Sequence, residues 1–276
     1  MNNVRLADFA GEALGTFLLV FFGCSAVAVT VLFGAHTGLM QVAMIWGLAV
    51  TLAIYSTRHL CCAHLNPAVS LAMVAAKRMK PGKLPAYLLG QFIGAFVGAA
   101  ALYLLFGPSI GQFEAAQGLT RGTAGSIKTA MIFGEFFPNP GAPSWVQVSV
   151  YGAFFAEALG TGLLVLLIFS LTEDCNVGRP DDSLTPLFIG ASVTLIISVI
   201  APLTQAGLNP ARDLAPRLFA YFAGWGNAAL PEPSYSFLTV YVLGPLIGAL
   251  VSGYGFSKII EPLLRSKAKD DPSNCC

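Results

Sequence analysis

HLNPAVSLA (residues 64–72) and GLNPARDLA (residues 207–215) are two copies of one short pattern, 143 positions apart. Proline holds φ near its helical value and has no amide hydrogen to leave unpaired, so Pro67 and Pro210 suit the first position of a helix. Asn66 and Asn209 then stand at the N-cap, where a side-chain oxygen accepts a backbone N–H. The apolar stretches around them, 61–76 and 205–222, are too short to cross a bilayer, which takes about 20 apolar residues. Each reads as a half-length helix that begins at its proline.

Around this pair the chain is apolar. Of its 276 residues, 55% are hydrophobic and 11% charged, against about 25% charged in an ordinary soluble domain. Mean hydropathy is +0.71. Six windows are long enough to span: Phe9–Phe33, Leu39–Thr57, Leu84–Phe106, Val146–Thr172, Leu184–Leu203 and Ser236–Ser257. The first is read as a retained span and not a signal peptide, because it is long and lacks a cleavage site. The net charge of +1 gives no reason to expect nucleic acid. The reading is an all-α protein of the lipid bilayer, with six transmembrane helices plus two re-entrant half-helices in a single channel domain, and a polar tail over 266–276.

Two further blocks repeat. EALGTFLLV (12–20) matches EALGTGLLV (157–165), and LGQFIGAFVG (89–98) matches LGPLIGALVS (243–252), at offsets of 145 and 154. The halves run from about residue 5 to 110 and from about 146 to 262. Three spans per half is an odd number, so the second half enters the membrane upside down, as an inverted repeat. The half-helices then enter from opposite faces and meet near the middle. Non-helical backbone at that depth must be buried or line a watery cavity, so the geometry implies a pore. Eleven of the fifteen Lys and Arg residues fall in segments on the membrane face that holds the N-terminus, which puts both termini in the cytoplasm by the positive-inside rule.

At the centre, two helix N-termini each contribute about half a positive charge, which repels cations. A water or hydroxyl oxygen accepting from both Asn amides must point its hydrogens outward, and this orientation opposes proton hopping.

EALGT twice, AHLNPAVSLA, GLNPARD and FAGWGN together resemble the aquaporin and aquaglyceroporin (major intrinsic protein) family over almost the full chain. Within it the sequence is most similar to bacterial glycerol facilitators, through Asp213 after Arg212, Arg217 four residues later, and Phe106. The resemblance implies one pore per subunit, a homotetramer and a bacterial inner-membrane location. It also implies that Asn66, Pro67, Ala68, Asn209, Pro210 and Ala211 form the pore centre. The carbonyls of Cys62, Ala63, His64, Leu65, Gly207 and Leu208 would line the pore, with the His64 ring bracing its loop. Cargo would be glycerol, other small polyols and water, with urea or metalloid acids as further uncharged solutes.

The family's selectivity filter falls on Trp46, Ile197, Ala206 and Arg212. Arg212 offers fixed N–H donors and no acceptor, enough to bond two hydroxyls of a polyol. Trp46 offers a flat apolar wall. Similar glycerol facilitators carry Gly and Phe where this chain has Ile197 and Ala206, and the resulting set looks like the filter of plant nodulin-like aquaporins. Metalloid acids such as boric or arsenous acid are therefore an alternative cargo.

Glu12 and Glu157 are the charges within the six windows. As repeat mates they read as scaffold acceptors for the pore loops, with Asp213 beside them; a proton-coupled secondary transporter would use such carboxylates differently. Cys61, Cys62 and His64 have no second cluster to complete a metal site and read as loop and packing residues, so no metal or other cofactor is expected. No nucleophile, base and orienting group converge, which argues against an enzyme. The connection from Phe106 to Trp145 yields no chemistry, and no role follows for Cys275 and Cys276.

Overall fold

Fully apolar runs longer than twenty residues have one low-energy form in lipid, the helix, because it satisfies every backbone group within the segment. The computed structural model describes residues 3–270, with side chains placed for 5–267. Six helices are long and apolar enough to cross a membrane. The first three spans are α1 (Asn3–Phe33), α2 (Leu39–Thr57) and α4 (Leu84–Ala116). The next two are α6 (Val150–Leu171) and α7 (Thr185–Thr204). The sixth, Ser236–Lys267, is assembled from α9 (Ser236–Leu238), α10 (Gly244–Gly255) and α11 (Glu261–Asp270), joined by wider π turns. The half-helices are α3 (Pro67–Ala75) and α8 (Pro210–Ala220), and a single turn, α5 (Ile127–Ala130), lies in the long central connection. Among the described residues there is no β-strand. Cys275 and Cys276 lie outside the described residues.

Nine residues of α3 and eleven of α8 laid end to end measure about 30 Å, one hydrocarbon thickness. Both begin at the anticipated proline. The spans α1 and α4 pack on each other, as do α6 and α10, and α2 and α7. Glycine permits the closest approaches. A Cβ on Gly94 would lie 2.1 Å from the Ala13 carbonyl oxygen, and one on its repeat mate Gly248 would lie 1.9 Å from that of Ala158. Small residues are the means by which membrane helices bring their backbones together.

One expectation is corrected at the third span. The helix does not end near Phe106 but continues through Pro108 to Ala116. Pro108 removes the hydrogen bond to the Leu104 carbonyl, yet Ile110 and Glu114 beyond it are buried. Their packing outweighs the lost bond. Glu114 receives Arg121 at 2.8 Å and the Thr129 hydroxyl at 2.7 Å, and Trp225 donates to Thr129 at 3.0 Å. These bonds fold the connection down onto α4 and the segment after α8.

Candidate functional site

The two loops that lead into the half-helices share their backbone pattern at two pairs of positions. Ala63 and Leu65 have φ of 50° and 54°, and their counterparts Ala206 and Leu208 have 63° and 55°. Left-handed backbone costs a non-glycine residue roughly 1–2 kcal/mol, so something must hold it. Glu12 accepts the His64 and Leu65 amides at 2.8 and 2.7 Å; Glu157 accepts those of Gly207 and Leu208 at 2.9 and 2.7 Å. Both carboxylates are fully buried. Gln91 donates to Glu12 at 2.7 Å, and Thr204 donates to Glu157 at 2.6 Å. The glycine of each EALGT block leaves room for the loop's leucine: a Cβ on Gly15 would lie 2.4 Å from Leu65, and one on Gly160 would lie 2.7 Å from Leu208. His64 places Nδ1 3.1 Å from the Ser70 hydroxyl and its ring against Tyr87.

Asn66 caps α3, its oxygen accepting the Ala68 amide at 2.9 Å; Asn209 caps α8 through the amides of Ala211 and Arg212 at 3.1 and 3.2 Å. Each side-chain amide then reaches across the middle. Asn66 Nδ2 donates to the Leu208 carbonyl at 2.9 Å, and Asn209 Nδ2 donates to the Leu65 carbonyl at 2.7 Å. An amide nitrogen carries two hydrogens, so each Asn keeps one N–H beyond the bond that joins the half-helices. The carbonyls of Leu65 and Leu208 accordingly have a structural partner as well as a place beside the cavity.

One cavity of about 450 Å³ runs past these groups. Its walls include Cys62, Ala63, His64, Leu65, Asn66, Gly207, Leu208 and Asn209, together with Trp46, Ile197, Ala206 and Arg212. Pro67, Ala68, Pro210 and Ala211 form the first turns of the half-helices behind this wall, and Glu12, Glu157 and Asp213 stand behind the loops. The Arg212 guanidinium lies over the Trp46 ring, 4.1 Å from its centroid. Its Nη2 forms an ion pair with Glu135, while Nη1 is buried without a partner. An unpaired buried donor costs about 1–3 kcal/mol, and a hydroxyl oxygen entering the cavity would relieve it.

A family model for Major intrinsic protein matches residues 2–256. The chain belongs to the major intrinsic protein family. It is 38% identical over 276 residues to the glycerol uptake facilitator protein of Haemophilus influenzae, covering 100% of this chain and 99% of that one. The propanediol uptake facilitator PduF of Citrobacter freundii is 36% identical over 277 residues, covering 100% and 97%. Among solved structures, the X-ray structure of the aquaglyceroporin from Plasmodium falciparum matches with a TM-score of 0.81 at 28% identity, over 95% of this chain and 99% of that one. Membership places the chain among multi-pass membrane channels and not among enzymes.

In this major intrinsic protein, Glu135 is a site residue that sequence reasoning missed. It lies in the connection from which no chemistry was expected, and it adds a buried carboxylate to the scaffold pair. Its amide donates to Asp213 Oδ1 at 2.8 Å, and its carbonyl accepts Arg217 Nη2 at 2.5 Å. Asp213 and Arg217 bond each other at 2.6 and 3.0 Å, and both are fully buried. The Arg-Asp-x-x-x-Arg pattern of α8 thus clamps the Glu135 backbone and aims its carboxylate at Arg212. Because Nη2 is engaged with Glu135, Nη1 is the Arg212 nitrogen left without a partner of its own.

Proposed function

We propose that this protein is a passive transmembrane channel for small uncharged polyols, glycerol foremost, that also admits water and excludes ions and protons. The observation that carries the reading is one cavity containing both half-helix asparagines and a guanidinium with an open Nη1, with mostly apolar side chains in the rest of its wall. A polyol has a hydroxylated edge and a carbon edge. Arg212 Nη1 and the spare amide hydrogens of Asn66 and Asn209 serve the first; Trp46 and Ile197 serve the second, and the small Ala206 leaves space beside them. Cations meet Arg212 and the two positive helix ends with no free carboxylate to receive them, because Glu135 is engaged with Arg212.

The two relatives are facilitators of glycerol and propanediol uptake, solutes of this shape, which supports the same class here. We further propose a homotetramer in a bacterial inner membrane with both termini in the cytoplasm. The broad apolar exterior, with Tyr151, Leu104 and Val199 highly exposed, suits contact with lipid and neighbouring subunits.

A solute panel tests the reading. Proteoliposomes are given equal osmotic steps of glycerol, urea and boric acid, and swelling is followed by light scattering. Glycerol entry well above that of empty vesicles is expected. Boric acid entry without glycerol entry would transfer the assignment to a metalloid channel.

A further inference from the structure

The cavity holds a second guanidinium, at the end away from Arg212. Arg78 follows α3 and lines the same cavity as Asn66; among the described residues, Arg78 and Arg212 are the Lys or Arg side chains that do so. Its guanidinium carbon sits 4.5 Å from the centroid of Phe169, near the end of α6. Nη2 carries both of its hydrogen bonds, to Glu173 and, at 3.2 Å, to Glu261 of α11. Arg78 is about one-fifth exposed, whereas Glu173 behind it is almost closed off.

This arrangement resembles the Arg212 end in its main chemical parts, although Arg78 Nη2 meets two carboxylates where Arg212 Nη2 meets one. Each end has a guanidinium stacked on an aromatic ring and a buried carboxylate on Nη2. Each also leaves Nη1 free of the ion pair, and each has an isoleucine in the same wall, Ile197 at one end and Ile168 at the other. The repeat does not generate the match. The residue 143 positions after Arg78 is Tyr221, and the one 143 before Arg212 is Val69. Two unrelated positions therefore supply the same chemistry to opposite ends of one cavity.

We infer that Arg78 forms a second hydroxyl-binding subsite for small uncharged polyols, at the mouth opposite Arg212. Planar N–H donors face the passing solute, and Glu173 and Glu261 hold the guanidinium against the wall. The inference rests on the channel reading above. It also gives α11 a role, because Glu261 connects that helix to the subsite.

Glycerol and water permeabilities are measured side by side for the wild type, Arg78→Ala and Arg78→Lys in proteoliposomes with matched protein content. Losing a partly solvent-exposed hydrogen bond from a solute contact is expected to lower glycerol permeability roughly three- to tenfold, with water permeability retained or raised. Lysine, which keeps the charge but loses the planar fork, should recover part of the glycerol flux. A glycerol-to-water ratio equal to that of the wild type in both variants would overturn the subsite. A parallel fall of both fluxes in Arg78→Ala that Arg78→Lys fully reverses would also overturn it, since that marks a tie between elements and no solute contact. Failure of the wild type to conduct glycerol would instead overturn the channel reading itself.

Discussion

Gly23 of α1 leaves the space that the Trp46 ring fills: a Cβ built on Gly23 would lie 2.2 Å from the ring carbons. Trp46 is buried and carries the Arg212 guanidinium on its other side, so it has nowhere to retreat. Gly23→Ala should therefore push the indole toward Arg212 and into the cavity. Overpacking of this kind costs about 1–3 kcal/mol. The variant is expected to insert but to pass glycerol several-fold more slowly, with larger polyols affected most. A permeability series from glycerol to five-carbon polyols checks this, and an unchanged series would show that the ring is free to move elsewhere.

Glu135 bears on selectivity through Arg212. Glu135→Gln removes the charge that occupies Nη2 while keeping the side chain's shape and its backbone bonds to Asp213 and Arg217. The freed guanidinium should shift the glycerol-to-water permeability ratio several-fold. Glu114→Gln is the control. It weakens a carboxylate of the same outer region that pairs with Arg121 away from the cavity, and it should leave the ratio unaltered.

The scaffold carboxylates bear on stability. Glu157→Ala leaves the Gly207 and Leu208 amides and the Thr204 hydroxyl without their acceptor, at about 1–3 kcal/mol for each buried group. Thermal unfolding in detergent should show a much lower midpoint than wild type, and Glu157→Gln a smaller drop, because its carbonyl oxygen can still accept from Thr204 and Gly207. Glu12→Ala should behave as Glu157→Ala does, since Glu12 makes the equivalent bonds to His64 and Leu65.

Arg212→Ala removes a fixed positive charge from the cavity and leaves Glu135 buried without its cation. Ion exclusion should weaken and polyol preference should change. Conductance across planar bilayers, together with the solute panel, reads both effects. Unaltered cation leak and solute preference would remove Arg212 from the filter.

What was legible in the sequence is what depends on short-range pattern. Apolar runs located all six spans, although the third continues ten residues past Phe106 and the sixth ten past Ser257. Pro67 and Pro210 located the starts of the half-helices, and the paired EALGT blocks located Glu12 and Glu157. Their partners could be anticipated because the repeat states the same local problem twice. Glu135, Gly23 and Arg78 were not legible in this way. Glu135 lies in a connection with no periodicity, and its position depends on Asp213 and Arg217 about 80 residues later. Gly23 looks like any small residue in a span until Trp46 of the next helix is packed on it. Arg78 reads as one more basic residue on the N-terminal side until Phe169, Glu173 and Glu261 converge on it from the other half. In all three the signal is a long-range contact, which leaves no mark in the local sequence.

The central claim is an open path for an uncharged polyol through the meeting point of α3 and α8. Its most direct test is stopped-flow light scattering of proteoliposomes after a glycerol step, with no ion gradient, over a range of temperatures. Glycerol should equilibrate several-fold faster than in empty vesicles, with a low activation energy and no saturation at high concentration. Equilibration no faster than through lipid alone, or flux that appears only when an ion gradient is imposed, would contradict it.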